Sequence, residues 1–459
     1  MSHSDLLVIG AGSAAREAAV RAAGEYGASV TLVERGLWGG SCPNVACAPT
    51  KAYVAAAELL HDVNTLAAAM GIEVGPARAD LARVKARKEA LRRTQERWLD
   101  VLHDQGIETV HGTATFVGER TVRVADRELT ADRILIATGS RTAVPPLPGI
   151  DEIDWIDHVS ILDLEELPES MLVVGGGAVG LELGQAFSRF GTRVTIVDLV
   201  DRIAVRADAD ASTELAAALA DEGIELVLGA ALLRVRGEGD EIVATLGDGR
   251  RLRASKLMLA AGRRPNVEEL GLQRLGIATT RAGIVVDDLM RTSIDGIWAA
   301  GDVTGLAQLS PIADSQGRLA ADDMFGASPE PADYSLVPTA IFTDPELAGV
   351  GLTEEEALAQ GLDVATVSYP LASIQRAFYI DAVRGLFKLV YERSSRRVLG
   401  LHVVSRSAGD IVQGYTLAIR HGVTVDELAA AHNAFPIFGE GVKYAAQQVT
   451  AAQPAASTR

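Results

Sequence analysis

Short apolar runs, each closed by glycine, set the organisation of the chain. From Leu6 to Glu34 the pieces LLVIG, AREAAVRAAGEYG and SVTLVE read as strand, glycine turn, alanine-rich helix and second strand. Met171 to Asp198 repeats the pattern as MLVVG, LELGQAFSRFG and RVTIVD, with one residue fewer between turn and acid. Each is half of a dinucleotide fold, so the chain carries two nucleotide units.

Between them, an alanine-rich stretch follows Pro49, and a strongly charged pattern from about Leu81 to His103 predicts a partly solvated helix. The strand DRILIATGS ends near Ser140, and the proline-rich TAVPPLPGI after it marks a linker with a boundary near Pro148. A comparable strand, SKLMLAAG, runs into Arg263 to Asn266, where the second unit ends. Alternation resumes after Tyr334 and predicts a separate α+β domain, closed by a polar tail, AAQPAASTR, expected to fray.

Bulk properties narrow the function. At 459 residues the chain exceeds one ordinary core. A net charge of -18 opposes nucleic acid and anionic lipid and leaves small molecules as partners. No run approaches the roughly 20 apolar residues of a membrane span, and MSHSDLLVIG lacks the features of a signal peptide, so a cytoplasmic location is expected. Two cysteines are too few for a secreted disulfide scaffold and suit a catalytic pair in a reducing compartment.

Gly10, Gly12 and Ala15 fit the glycine fingerprint, in which a turn without side chains brings a pyrophosphate to the amides opening a helix; Glu34 can accept from ribose hydroxyls. Gly175, Gly177 and Gly180 complete the second fingerprint, with Gly184 a turn later and Asp198 at the strand end. Asp198 favours the free 2′-hydroxyl of NAD over the 2′-phosphate of NADP, while nearby Arg193 and Arg202 keep NADP open. The plain alternative at the first turn is a strand-to-helix connection made for packing, and at the second a duplicated unit that leaves the chain binding only one nucleotide.

Cys42 and Cys47 lie in GGSCPNVACAPTKAYV, directly after the first unit. Five residues of straight helix rise about 7.5 Å, too far for comfortable bridging, so a disulfide there requires a non-helical turn, for which Pro43 is suited. Zinc would need two further ligands, and no histidine is closer in sequence than His61, so no metal site is expected. Two unrelated core thiols remain the plain alternative.

Gly39, Gly40, Ser41, Cys42, Cys47, Pro49, Thr50 and Lys51 together resemble the redox motif of the pyridine nucleotide-disulfide oxidoreductases, among them glutathione reductase, dihydrolipoamide dehydrogenase and mercuric reductase. Ala137 to Gly139, Gly262 to Asn266, Ala300 to Asp302 and Val337 to Glu346 extend the resemblance over nearly the whole chain. It implies an α/β fold of two Rossmann-like domains, for FAD and NAD(P), plus a C-terminal α+β dimerisation domain. The expected divisions are residues 1–147 for FAD with the redox cysteines, 148–264 for NAD(P), 265–333 for the second part of the FAD domain and 334–459 for dimerisation. FAD is expected on Gly10, Gly12, Ala15, Glu34, Ser41, Lys51, Ala114, Thr138, Gly139, Asp302 and Ala313. NAD(P), with NAD preferred, is expected on Gly175, Gly177, Gly180, Glu182, Asp198 and Gly262.

The resemblance further implies that hydride passes from NADH to the flavin and two electrons then pass to the disulfide. Cys47, nearer the flavin, forms a charge-transfer thiolate, and Cys42 attacks substrate. Lys51, four residues beyond Cys47, favours reduced flavin and a thiolate, with Glu182 as its expected partner. The chain departs from the pattern near its C-terminus. Disulfide reductases of the family carry His-x-His-Pro followed by Glu as a general base; here the segment is His432, Asn433, Ala434, Phe435, Pro436, then Glu440, with Phe435 at the base position. Phenylalanine cannot transfer a proton, which is commonly worth 10²- to 10⁴-fold. Mercuric reductases also lack that histidine, and FPIFGEGVKYAA is similar to their C-terminal segment, although neither their C-terminal cysteine pair nor their N-terminal metal-binding domain is expected here. Ketopropyl-coenzyme M carboxylating enzymes also carry Phe there but replace the acid that stays here as Glu440.

The expected protein is a homodimeric FAD-dependent NAD(P)H oxidoreductase acting through Cys42 and Cys47 on a thiol-reactive acceptor or metal ion. Dithiol oxidation or disulfide reduction, as in dihydrolipoamide dehydrogenase, is the second expectation, and a flavin-containing redox sensor with little turnover the third.

Overall fold

In a computed structural model, which describes residues 2–92, 95–326 and 328–451, the chain divides into two units. The tail from 452 onward, expected to fray, lies outside the described residues. The first unit holds residues 1–52, 85–143 and 262–334; the second holds 53–84, 144–261 and 335–459.

In the first unit, strands Ser2–Ile9, Val30–Glu34, Glu108–His111 and Arg127–Ile136 form a parallel sheet that Ile297–Ala299 extends. Ala114–Gly118 and Thr121–Val124 add antiparallel strands. A sheet covered on both faces needs continuous apolar strands rather than alternating ones, and the run from Leu6 to Ile9 supplies one. Leu6 and Val8 join Leu32 and the alanines of helix Ser13–Tyr26 in one buried cluster; Leu7 and Ile9 join Ile134 and Ile136 on the other face. Helix Ser310–Met324 packs against Ser13–Tyr26, and the backbones approach so closely that a Cβ on Gly317 would lie 2.2 Å from the Ala14 carbonyl oxygen. The charged stretch expected as one helix is two, Leu81–Leu91 and Gln95–Asp104.

In the second unit, Glu225–Val227, Arg193–Val197, Ser170–Val174, Lys256–Leu259 and Trp155–Ile156 form a parallel sheet in that order. Met171 and Val173 pack with Leu181 and Phe187 of helix Ala178–Phe190, while Leu172 faces the antiparallel strands Leu232–Glu238, Glu241–Leu246 and Arg251–Ala254. The last residues build a five-stranded antiparallel sheet, Thr339–Ile341, Glu346–Gly351, Val398–Ser405, Leu386–Glu392 and Val364–Pro370 in spatial order, whose core includes residues of helices Ala408–Arg420 and Glu440–Ala451.

The connections between the nucleotide units are themselves paired. Ser140–Thr142 runs antiparallel to Arg263–Pro265, and the Ala143 amide donates to the Gly262 carbonyl at 3.0 Å. Among the described residues no helix is long and apolar enough to cross a membrane.

Candidate active site

Each glycine turn is forced by its neighbour strand. Gly10 adopts φ +111°, and a Cβ on it would lie 2.2 Å from the Ala137 carbonyl oxygen; Gly175, at φ +116°, stands in the same relation to Ala260 at 2.5 Å. Only glycine fits such a conformation at such a distance. The helices that follow, Ser13–Tyr26 and Ala178–Phe190, begin at Gly12 and Gly177 without a side-chain cap. Nothing lies within 4 Å of a Cβ built on Gly177, and only the Gly40 Cα comes to 4.0 Å of one built on Gly12. Unsatisfied helix amides facing open space suit a pyrophosphate, so both turns fit a dinucleotide.

The strand-end acids occupy matching places. Glu34 accepts from the Ala11 amide at 2.8 Å and the Gly36 amide at 2.6 Å. Asp198 accepts from Gly176 at 2.6 Å and Val200 at 3.2 Å. A cavity of ≈ 220 Å³ in the first unit is lined by Gly10, Glu34, Ala114, Thr138, Arg141 and Glu268, among others. Thr138 Oγ1 donates to the Asn266 carbonyl at 2.7 Å, and the Gly139 carbonyl accepts from the Asn266 amide at 2.9 Å. The Arg141 fork on Glu268 holds that carboxyl down at about 2. Asp302 opens a short helical turn and accepts from Ser140 Oγ at 2.5 Å, with Arg263 Nε at 3.6 Å; Ala313 is buried beside Gly301.

The cysteines sit where the helix is broken. Ser41–Asn44 makes one helical turn, Val45 leaves helical geometry at φ -141° and ψ 0°, and Cys47 opens the helix Cys47–Thr65. The buried Asn44 amide pins the segment by donating to the Trp38 and Gly40 carbonyls at 2.9 and 2.7 Å. Gly40 lies against Gly12, so the segment rests on the first glycine turn. Both cysteines are thiols, Cys42 half-buried and Cys47 exposed.

Their protons are linked. The hydrogen bond from Cys47 brings the Cys42 thiol down to about 6, against burial and the Asp314 charge; the Ser310 hydroxyl and the Lys51 charge assist. The same bond pushes the Cys47 thiol up, because its proton is the shared one. The pair releases one proton readily and the second with difficulty.

Ser310 and Asp314 were not legible in the sequence. They lie far along the chain, and the only signal is Pro311, which marks the start of a helix shortly after Asp302. Arg16, which reaches Asp314 at 3.3 Å, was likewise read only as part of an alanine-rich helix.

In the second unit, Glu182 is buried in helix Ala178–Phe190 and accepts from the Phe342 amide at 3.0 Å. Phe435 is 68% exposed, and His432 is exposed as well. Glu440 is buried, accepting from the Ile437 amide at 3.2 Å and from Tyr444 Oη at 3.0 Å, a bond that pushes the tyrosine up. Its carboxylate thus serves its own helix start. Among the described residues no cluster of three or more His, Cys, Asp or Glu could hold a metal ion.

Residues 4–317 match the pyridine nucleotide-disulphide oxidoreductase family, and residues 337–446 match its dimerisation domain. The chain is similar to mercuric reductase of Streptomyces lividans, 38% identical over 458 residues, covering 97% of this chain and 96% of the relative. It is also similar to dihydrolipoyl dehydrogenase of Geobacillus stearothermophilus, 33% identical over 455 residues, covering 97% and 96% respectively. Among solved structures, the HOCl-induced flavoprotein disulfide reductase RclA from Escherichia coli, as its Cu(II) complex, superposes with a TM-score of 0.89 at 29% identity, covering 98% of this chain and 100% of that one. Matched in both its parts, the chain belongs to the pyridine nucleotide-disulphide oxidoreductases, FAD-dependent enzymes that use NAD(P)H.

Proposed function

We propose that this enzyme draws on NADH and passes two electrons through Cys42 and Cys47 to a thiol-reactive acceptor such as a soft metal ion, not to a small disulfide. The observation that carries this reading is a readily ionised cysteine pair in a chain whose family base position is Phe435, with Glu440 already engaged by Ile437 and Tyr444. A disulfide acceptor needs a proton for its leaving thiol; a metal ion does not. The similarity to a mercuric reductase supports the same class.

Bound FAD supplies a two-electron relay between nicotinamide and sulfur. The amides after Gly12 would hold its pyrophosphate and Glu34 its ribose, with Asp302, Thr138, Gly139, Ala114, Ala313, Ser41 and Lys51 around it. Cys42 meets the acceptor. Closing the Cys42–Cys47 bond gives up two electrons and releases two thiol protons to solvent. The turn at Gly175, Gly177 and Gly180 would hold the nicotinamide cofactor, with Glu182 on the helix that the turn opens. The preference for NADH rests on Asp198: Arg202 is engaged by Glu355 at 2.8 Å and Arg193 faces Glu169 at 3.7 Å, so the two arginines nearest in sequence answer acids instead of a 2′-phosphate. A homodimer follows from the dimerisation-domain match, and the exposed Phe435 and Ile437 suit a surface covered by a second copy.

The similarity to dihydrolipoyl dehydrogenase keeps dithiol oxidation as the second reading. Anaerobic NADH oxidation with Hg(II), Cu(II), quinone, lipoamide and glutathione disulfide separates the two. The metal ions should turn over, the disulfides should be slower by about 10²- to 10⁴-fold, and Phe435→His should raise only the disulfide rates. Vigorous wild-type turnover of lipoamide or glutathione disulfide, unaffected by that change, would overturn the proposal.

A further inference from the structure

The loop that follows Asp198 is tied back to the second glycine turn. The Ala204 amide donates to the Gly176 carbonyl at 2.8 Å, and a Cβ built on Gly176 would lie 3.3 Å from both the Asp198 carboxylate and the Ile203 side chain. The strand-end acid and residue 203 therefore flank one backbone position. A 2′-phosphate in place of the hydroxyl that such an acid accepts needs a cation, and Arg202 is the first cation in the loop.

Arg202 is already committed elsewhere. Its Nη1 and Nη2 donate to the two Glu355 carboxylate oxygens at 2.8 and 3.1 Å, and Nη2 also donates to the Val205 carbonyl at 3.1 Å. A two-point pair of this kind fixes a guanidinium in direction as well as in place. Its Nε, however, is buried with no hydrogen-bond partner, which offsets part of what the pair gains. The Glu355 side chain is 61% exposed, so solvent screens the pair as well. The hold is directional but weak, and removing one carboxylate releases the arginine.

Glu355 is brought to the loop by a buried anchor. It is the middle of three glutamates opening the helix Glu354–Ala359, and each neighbour is engaged apart from it. Glu354 accepts from Lys388 Nζ at 2.7 Å, and Glu356 closes a capping box with Thr353. Lys388, 1% exposed, also lies 3.0 Å from Asp208, which is equally buried and caps the helix Ala209–Asp221 at the far end of the same loop. The Glu354 amide donates to Asp208 at 3.4 Å. The loop is thus pinned at Gly176 and at Asp208, and Glu355 meets Arg202 between the two.

We propose that Glu355 determines nucleotide specificity: by holding Arg202 it denies a 2′-phosphate its cation and keeps the site selective for NADH. The inference rests on the reading of the second turn as the NADH site. Asp198 sets the preference at the ribose itself, whereas Glu355 acts through Arg202 and is a positioning residue.

The test compares two fragments that differ by one phosphate, 5′-AMP and 2′,5′-ADP, titrated calorimetrically into the FAD-loaded protein. Wild type should prefer 5′-AMP. Glu355→Gln should raise the affinity for 2′,5′-ADP relative to 5′-AMP by about three- to tenfold, the gain of one charge-assisted contact at a partly exposed site. Adding Arg202→Gln should return the ratio to its wild-type value, and the NADPH-to-NADH ratio of kcat/KM should follow the same order across the variants. An unchanged ratio in Glu355→Gln would overturn the inference and leave the preference set by Asp198 standing. A gain that persists in the double variant would overturn it too, because loss of a negative charge, and not release of Arg202, would then be the cause. Arg202→Gln alone gives an independent check: a drop in 2′,5′-ADP affinity would mean that the arginine serves a 2′-phosphate without being released. A wild type that binds both fragments equally would instead defeat the NADH reading itself.

Discussion

At the end of its second strand each nucleotide unit places a carboxylate that accepts the amide following the first glycine, Glu34 from Ala11 and Asp198 from Gly176. The third fingerprint position then separates them. A Cβ on Gly180 would lie 2.0 Å from the Gly175 carbonyl oxygen, whereas Ala15 keeps its methyl, fully buried, in the corresponding place. In the first unit the tight approach has moved to another contact, Gly317 on Ala14, between two helices. The hydrogen-bond plan is common to both units, but the demand for a missing side chain follows the closest backbone, which differs. Only the first turn also carries the cysteine segment, through Gly40 on Gly12.

The largest effect should come from breaking what the first unit has and the second lacks. Cys42→Ser or Cys47→Ser should cut acceptor-dependent NADH oxidation by on the order of 10³ or more, with flavin absorbance and NADH binding retained. Loss of flavin in both variants would mean that the segment serves the fold and not the chemistry.

Next, the third fingerprint position can be exchanged between the units. Gly180→Ala drives a methyl onto a carbonyl and should destabilise by about 1–3 kcal/mol in thermal unfolding, weakening NADH binding as the helix start shifts. Ala15→Gly meets no clash and should lose about 1 kcal/mol through helix propensity. Equal losses would show that the two turns are packed alike.

The smallest expected effect concerns the acids. Asp198→Asn should lower kcat/KM for NADH by about tenfold, the worth of a hydrogen bond to a charged group, while NADPH use changes little. Matching losses with the two cofactors would remove the basis for preferring NADH.

Most of this plan was readable from spacing. Glycine turn, apolar strand and terminal acid are local features, and Leu6 to Glu34 and Met171 to Asp198 each fall within one supersecondary unit. The requirement for a helix break between Cys42 and Cys47 was local too, and Val45 meets it. What packs on the cysteine segment was not readable, because Trp98, which lies against Gly39, and Arg16, which lies over Trp98, come from two helices that nothing in the sequence aligns. The acids at Glu182 and Glu440 had expected roles from the motif, yet the hydrogen bond from Phe342 to Glu182 depends on tertiary packing, and Glu440 is taken up locally by Tyr444, one turn on in its own helix.

The paired connections have a consequence for how the chain assembles. Ala143 and Gly262 are joined by one hydrogen bond, so the long segment between them leaves and returns at a single place. To the sheet it interrupts, a folded insert with adjoining ends counts as a loop of a few residues. The entropy of bringing Ile297–Ala299 beside Arg127–Ile136 then falls to that of a short closure, and the apparent contact order of the first unit falls with it. Sequence can accumulate within such an insert without lengthening the search that completes the surrounding sheet.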